Sequence, residues 1–189
     1  MEFEQVVKNR RTRRKYINKK VPHEKLVKLV EYARFAPMGI NLQALKYVII
    51  DDEELVKKVF SFTAWSSLQP QNAPTEQEQP TSYIAMIGDL NINPGGAFET
   101  DAGSAGAIIT LGAENLGLFS CWNGSFDKEG VSKLLNLSEK HDLLYLFAVG
   151  YSEQKAAYID ADDGVTTYID VNGVLTVPKR KVDDIIISI

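Results

Sequence analysis

The sequence predicts an α+β fold, built as one domain over residues 1–189. Three observations carry that prediction. Helical and strand-like segments mix without the regular βαβ rhythm of a parallel sheet. Residues 98–124 join one long, small-residue helix to a short buried strand. Asn172-Gly173 lies between two β-rich runs within residues 165–177, the signature of a hairpin. A chain of 189 residues that is 44% hydrophobic suits a single packed core.

Taken in order, Phe3, Val6 and Val7 share one face of a short first helix that runs into a basic stretch. Pro22 suits the first turn of a second helix, where its missing N–H would be unpaired anyway. Leu26, Leu29, Val30 and Ala33 form the buried stripe of that helix, which stops before Pro37. MGINLQ (38–43) is a loop with two amides, leading to a strand over 46–50 and a third helix over 53–60. Residues 69–80 are polar, proline-rich and unpatterned, as in a lid or a mobile loop. A short apolar strand over 83–87 precedes the turn-rich NINPGG.

Ala102, Ala105, Gly106, Ile109, Gly112, Ala113 and Leu116 then recur at helical spacing, and the helix should stop near Gly117. Small residues on one helix face admit either a second helix or something flat. Phe119, Cys121 and Trp122 read as a short buried strand closed by Asn123-Gly124. A helix over 127–135 and a buried strand over 143–149 follow, and Asn172-Gly173 predicts a type I′ turn. Residues 185–189 are apolar and need cover, from a partner subunit or from the chain's own core.

The net charge of −4 excludes a polyanion binder in the bulk sense. Positive charge is nevertheless segregated into Arg10, Arg11, Arg13, Arg14, Lys15, Lys19 and Lys20, and into Lys179, Arg180 and Lys181. Local basic clusters on an acidic protein point to a discrete anionic ligand. Arginine offers a rigid fork of donors that matches phosphate, and Thr12 adds a hydroxyl. The plainer alternative is a solvated helix end whose charge suits the C-terminal dipole. Cys121 is the only cysteine, which excludes an intrachain disulfide and points to a reducing compartment. MEFEQVVKNRR has no apolar core of a leader, and the run 143–149 is too short to span a bilayer. A soluble, cytoplasmic protein is expected.

Several kinds of chemistry find no support. No G-x-G-x-x-G follows a strand, and no Walker A sequence occurs. His23 and His141 are the only histidines and lack a second ligand at metal spacing, so no metal is expected. Asp160, Asp162, Asp163 and Gly164 hint at a calcium loop, but the glycine falls one place early and no glutamate follows; a solvated turn is the better reading. Cys121 reads as a buried structural residue.

Four stretches together resemble the FMN-dependent nitroreductase family. NRRTRRKY is similar to its Arg-Arg-Ser-x-Arg element, and EYARFAPMGINLQ to its A-P-S-x-x-N-x-Q loop. FETDAGSAGAIITLGAENLGLFSCWNG is similar to the D-x-G helix followed by G-L-G-x-C-W-x-G, and VPKRKVDDII to the basic C-terminal segment. They occur in the family's order and cover nearly the whole chain.

The resemblance implies a sandwich with a central mixed, mainly antiparallel sheet flanked by helices, in a homodimer with exchanged C-terminal tails. It implies that Arg10 and Thr12, assisted by Arg11, hold the FMN phosphate together with Lys179 and Arg180. Arg14 would lie near flavin N1 and the C2 carbonyl. Pro37, Met38 and Gly39 would approach from the second subunit, with Asn41 and Gln43 near the ribityl chain or ring. Asn123 and Gly124 match the point where a backbone N–H faces flavin N5, so the chemistry rests on the flavin rather than on a catalytic side chain. Met38 stands where the family often has serine, Ala44-Leu45 replaces Pro-Trp, and Ile108 and Ile109 stand near a usual Gln-Asn pair. These departures bear on substrate more than on cofactor.

The implied activity is electron transfer from NADH or NADPH through FMN to a small acceptor such as a nitroaromatic, a quinone or an enone, with ping-pong kinetics. A rival is a flavin-binding carrier or sensor without turnover. A nucleic-acid binder using the basic run is disfavoured by the acidic total charge and by the single interleaved aromatic, Tyr16. No nucleic-acid or membrane partner is expected.

Overall fold

The central sheet has the strand order β1-β2-β4-β3, with β1 Leu45–Ile50, β2 Ser82–Asp89, β3 Phe119–Asn123 and β4 His141–Gly150. Every pairing within it is antiparallel, so the expected mixed sheet is realised here as a wholly antiparallel one among the described residues. The computed structural model describes residues 2–65 and 70–187. Strand β2 is buried along its whole length, because both its faces are covered; this is why it reads as an apolar run rather than an alternation.

One face of the sheet packs on α2 (His23–Ala33) and α4 (Glu99–Asn115); the other on α3 (Glu53–Ser61) and α5 (Lys128–Leu134). Ile84 and Met86 of β2 enter the first layer, while Tyr83, Ala85 and Ile87 enter the second. On β4, Phe147 and Val149 enter the first, and Leu146 and Ala148 the second. The register slips between Met86 and Ile87, whose partners are Tyr145 and Leu143, so Leu144 is an extra residue on β4. That bulge resets the side-chain alternation and lets Leu143 and Leu146, three apart, share one core.

The sequence signals at the helix ends are realised locally. Asp52 and Asp127 cap α3 and α5, accepting from the N–H groups of Leu55 and Gly130 at 2.9 and 3.0 Å. Leu26, Leu29 and Ala33 form the buried stripe of α2. Gly117 takes φ of +69° just beyond α4, as expected for a helix stop. The glycines of α4 serve two purposes. Gly112 lets α2 approach, since a Cβ there would lie 2.8 Å from Tyr32; Gly106 admits the flat indole of Trp122.

Helix α1 (Phe3–Asn9) forms as expected, with Val6 buried and Phe3 and Val7 exposed. Two expectations need correction, and one strand was not foreseen. Between residues 70 and 80 the chain is anchored rather than loose. Asn72 is wholly buried, Thr75 and Glu78 form a capping box, and Tyr16 N–H donates to the Glu78 carbonyl at 2.9 Å; Gln69 lies outside the described residues. The predicted hairpin forms between β6 (Tyr168–Ile169) and β7 (Leu175–Lys179), but its turn is not type I′. Only Gly173 has positive φ, and Asp170 N–H pairs with the Val174 carbonyl, giving a three-residue loop with a left-handed glycine. The Asp170 carboxylate braces it from within, accepting from Asn172 and Val174 N–H. Finally, an unpredicted strand β5 (Ala156–Asp160) pairs parallel with β7, completing a separate three-stranded sheet. Of the apolar tail, Ile185, Ile186 and Ile187 are exposed, and residues 188–189 lie outside the described part.

Candidate functional site

Residues 10–16 run as an irregular segment from α1 to the sheet, held by Arg13 N–H on the Ser120 carbonyl at 3.1 Å. Burial alternates along it. Arg11 and Arg13 are buried, while Arg10, Thr12 and Arg14 are half-buried. Arg13 is spent internally: Nε donates to the Gln154 carbonyl at 2.7 Å, Nη1 donates to the Arg11 carbonyl at 3.2 Å, and the guanidinium lies 5.1 Å from the Phe119 ring centre. The Arg11 guanidinium lies 4.9 Å from the ring centre of Tyr158, donates through Nη1 to the Arg10 carbonyl, and leaves Nε buried without a partner. Desolvation lowers the pKa of both Arg11 and Arg13.

A polar network fixes this segment from behind. Gln154 accepts from Arg14 N–H at 3.0 Å through Oε1 and donates to Asn72 Oδ1 at 2.7 Å. The Tyr16 hydroxyl donates to the Arg13 carbonyl at 2.7 Å, and burial holds its pKa well above the ordinary value. No salt bridge reaches Arg10, Arg11, Arg13 or Arg14 among the described residues. Glu114 of α4 faces them electrostatically; burial raises its pKa, against the pull of Arg13, Arg10 and Arg11.

The second basic cluster comes near the first through the small sheet. Tyr158, under Arg11, pairs with Val177 on β7, and two residues on Asp160 pairs with Lys179. Lys179 and Arg180 are exposed at the end of that strand. The structure thus brings Arg11 to the strand beside the one that carries Lys179.

The 37–43 loop is the most strained part of the backbone. Ile40, Asn41 and Gln43 take φ of +47°, +56° and +53°, a region that a β-branched residue such as Ile40 strongly disfavours. Met38 and Leu42 pack against the core on either side, while Pro37, Gly39, Ile40, Asn41 and Gln43 are exposed. Gly39 N–H donates to Asp101 Oδ1 at 2.8 Å, tying the loop to the first turn of α4. Among the described residues, no hydrogen bond or ion pair joins this loop to the arginine segment or to Asn123.

At the end of β3, Asn123 is buried and its side chain braces the turn: Nδ2 donates to the Ala64 carbonyl at 3.3 Å and Oδ1 accepts from Ser125 N–H at 2.7 Å. Gly124 is exposed, and its N–H finds no acceptor within the chain among the described residues. Trp122 packs against Tyr145 and Phe147 of β4, with ring centres 5.2 and 5.1 Å away. Cys121 is buried, which pushes its thiol up to about 11, as a structural cysteine would be. His23 pairs with Asp51 at 2.7 Å and His141 with Ser138 at 3.1 Å. A cavity of about 430 Å³ between α3 and residues 76–81 is lined by none of the predicted site residues.

Sequence reasoning missed Asn72 and Gln154. Arg13 stood in the basic cluster and Asp101 in the D-x-G motif without a role of their own; two-residue alternation in an extended run separates Arg11 and Arg13 from Arg10, Thr12 and Arg14.

Known proteins resemble the chain along most of its length. A protein of Archaeoglobus fulgidus named "Putative NADH dehydrogenase/NAD(P)H nitroreductase" is 24% identical over 164 residues, 84% of this chain and 90% of that one. The crystal structure of a nitroreductase family protein from Streptococcus pneumoniae superposes with a TM-score of 0.72 at 18% identity, covering 99% of this chain and 100% of the other. An FMN-dependent nitroreductase from Clostridium difficile does so with a TM-score of 0.67 at 24% identity, over 84% and 91% of the two chains. These structural likenesses establish the shared fold. The sequence model of the nitroreductase family matches residues 7–151, more than half of the chain, and the protein belongs to that family.

Proposed function

We propose that the protein is a homodimeric FMN-dependent oxidoreductase, with residues 1–189 acting as one domain, which passes electrons from NADH or NADPH to a small acceptor. The observation that carries the reading is the alternate burial of the arginine segment. Arg10, Thr12 and Arg14 are left on its outward side, with no salt bridge among the described residues, and Arg11 between them lies over Tyr158 of β5, the neighbour of the strand that carries Lys179. The buried, unpartnered Arg11 Nε is a further donor that fits an anionic group. In this reading Arg10, Thr12, Lys179 and Arg180 hold the phosphate with help from Arg11. Arg14 supplies positive charge near N1 and the C2 carbonyl, where the reduced flavin is anionic.

Bound FMN supplies two-electron transfer at N5. The chain's part is to bind and orient it, with Gly124 N–H as the main-chain donor toward N5 and the Asn123 side chain keeping that turn rigid. Pro37, Met38, Gly39, Asn41 and Gln43 would complete the site of the other subunit. Two features support that arrangement: among the described residues the loop makes no polar contact with its own arginine segment, and Pro37, Gly39, Asn41 and Gln43 are exposed. Exposed Phe3, Val7, Phe35, Val182 and Ile185–187 provide apolar area for a partner and for tail exchange. The name of the Archaeoglobus fulgidus relative supports NAD(P)H as donor. Nitroaromatics, quinones and enones are the acceptor classes proposed.

The test is an anaerobic titration of the FMN-loaded protein with NADH and NADPH, followed by rates with a quinone and a nitroaromatic. Bleaching of the visible flavin band and parallel double-reciprocal lines are expected. A loaded protein that neither nucleotide reduces would favour the carrier or sensor reading. A protein that takes up no FMN would overturn both.

A further inference from the structure

We infer that Asp101 is a positioning residue for the 37–43 loop, and through that loop for the cofactor site; the inference rests on the proposed role of Pro37, Met38 and Gly39. Three observations lead to it. First, the loop contains three non-glycine residues with left-handed φ, and Ile40, the residue least suited to that region, is 94% exposed. Packing of the Ile40 side chain within its own chain therefore does not offset the strain.

Second, few polar contacts are available to hold the conformation. Asn41 N–H donates to the Met38 carbonyl at 3.0 Å and Leu42 N–H to the Gly39 carbonyl at 3.1 Å, both inside the loop. Gln43 Nε2 reaches the Asn41 carbonyl at 3.4 Å, also inside it. The bond from Gly39 N–H to Asp101 Oδ1 at 2.8 Å connects its centre to a rigid element 62 residues away in sequence.

Third, Asp101 stands in the first turn of the 17-residue helix α4, where the helix dipole favours a negative carboxylate. An ionised acceptor makes this a charge-assisted bond, roughly twice as strong as a neutral one. The same helix carries Gly106, against which Trp122 rests one residue before Asn123. One helix thus fixes the loop offered to a partner's site and backs the turn of its own.

The experiment compares wild type, Asp101→Ala and Asp101→Asn by two readouts. In the apo protein, amide exchange at Gly39 should accelerate roughly tenfold or more in D101A and stay near wild type in D101N, whose amide oxygen still accepts. In FMN titrations, D101A should lose roughly tenfold or more in affinity at nearly unchanged melting temperature, with D101N restoring most of it. If D101A keeps wild-type exchange at Gly39 or wild-type FMN affinity, or if D101N is as impaired as D101A, the assignment fails. If wild type itself binds no FMN, the underlying functional reading fails, and that outcome shows in wild type alone.

Discussion

Replacing Gly106 by alanine tests the packing that backs the Trp122–Gly124 turn. A Cβ at Gly106 would sit 2.4 Å from Trp122 Cη2 and 2.5 Å from Cζ3, whereas carbon atoms in contact prefer about 3.5–4.0 Å. The indole must therefore shift by about 1 Å, which disturbs its contacts with the Tyr145 and Phe147 rings. Overpacking of this kind costs about 1–3 kcal/mol, while alanine in place of glycine inside a helix gains about 0.8–1.0 kcal/mol. The net for G106A is a loss of about 0–2 kcal/mol. Gly103, one turn earlier, is the control, because a Cβ there meets nothing within 4 Å. G103A should gain about 1 kcal/mol, or about 2–4 °C for a chain of this size. Thermal melting of the apo protein by circular dichroism measures both, and tryptophan fluorescence should shift in G106A alone. A G106A protein that melts as high as G103A would refute the reasoning.

Two further substitutions probe the groups behind the arginine segment. Glu114→Gln should raise the melting temperature at pH 7. Burial raises this carboxyl above its ordinary 4.5, so the folded state holds its proton more tightly than the unfolded one, and stability is lost as pH rises through the folded value. The advantage of E114Q should vanish by about pH 4, and pH-dependent melting curves of the two proteins check it. Tyr16→Phe removes the hydroxyl that donates to the Arg13 carbonyl at 2.7 Å and should cost about 0.5–1.5 kcal/mol at neutral pH. Above about pH 10, wild type should lose stability that Y16F keeps, because burial holds the phenol neutral in the folded state and ionisation favours unfolding. Denaturant melts across that range measure it.

The core was legible in the sequence because its period was clean. Leu26, Leu29 and Ala33 mark α2, and the unbroken apolar run of β2 announces a strand covered on both faces. Strand β5 escaped notice because Tyr158 and Ile159 are exposed and its sequence carries no alternation. Asn72 and Gln154 look like ordinary loop residues; what makes them structural is a hydrogen bond between positions 82 apart, which no local pattern encodes. The hairpin was found but its turn was misjudged, since the Asp170 carboxylate stabilises a longer loop than Asn-Gly alone implies. For the site, the family motifs pointed to the arginine segment, and the structure added which arginine is spent internally: Arg13 is held by Gln154 and Phe119. The strain at Ile40 is invisible in sequence because isoleucine is among the least expected residues at positive φ.

The most direct measurement is the affinity of the apo protein for FMN and for riboflavin, which differ by the phosphate alone, read by quenching of flavin fluorescence. The account predicts that wild type prefers FMN strongly. Arg10→Ala and Lys179→Ala should each erase most of that preference while leaving the melting temperature of the apo protein nearly unchanged. Equal affinity of wild type for the two flavins would contradict it.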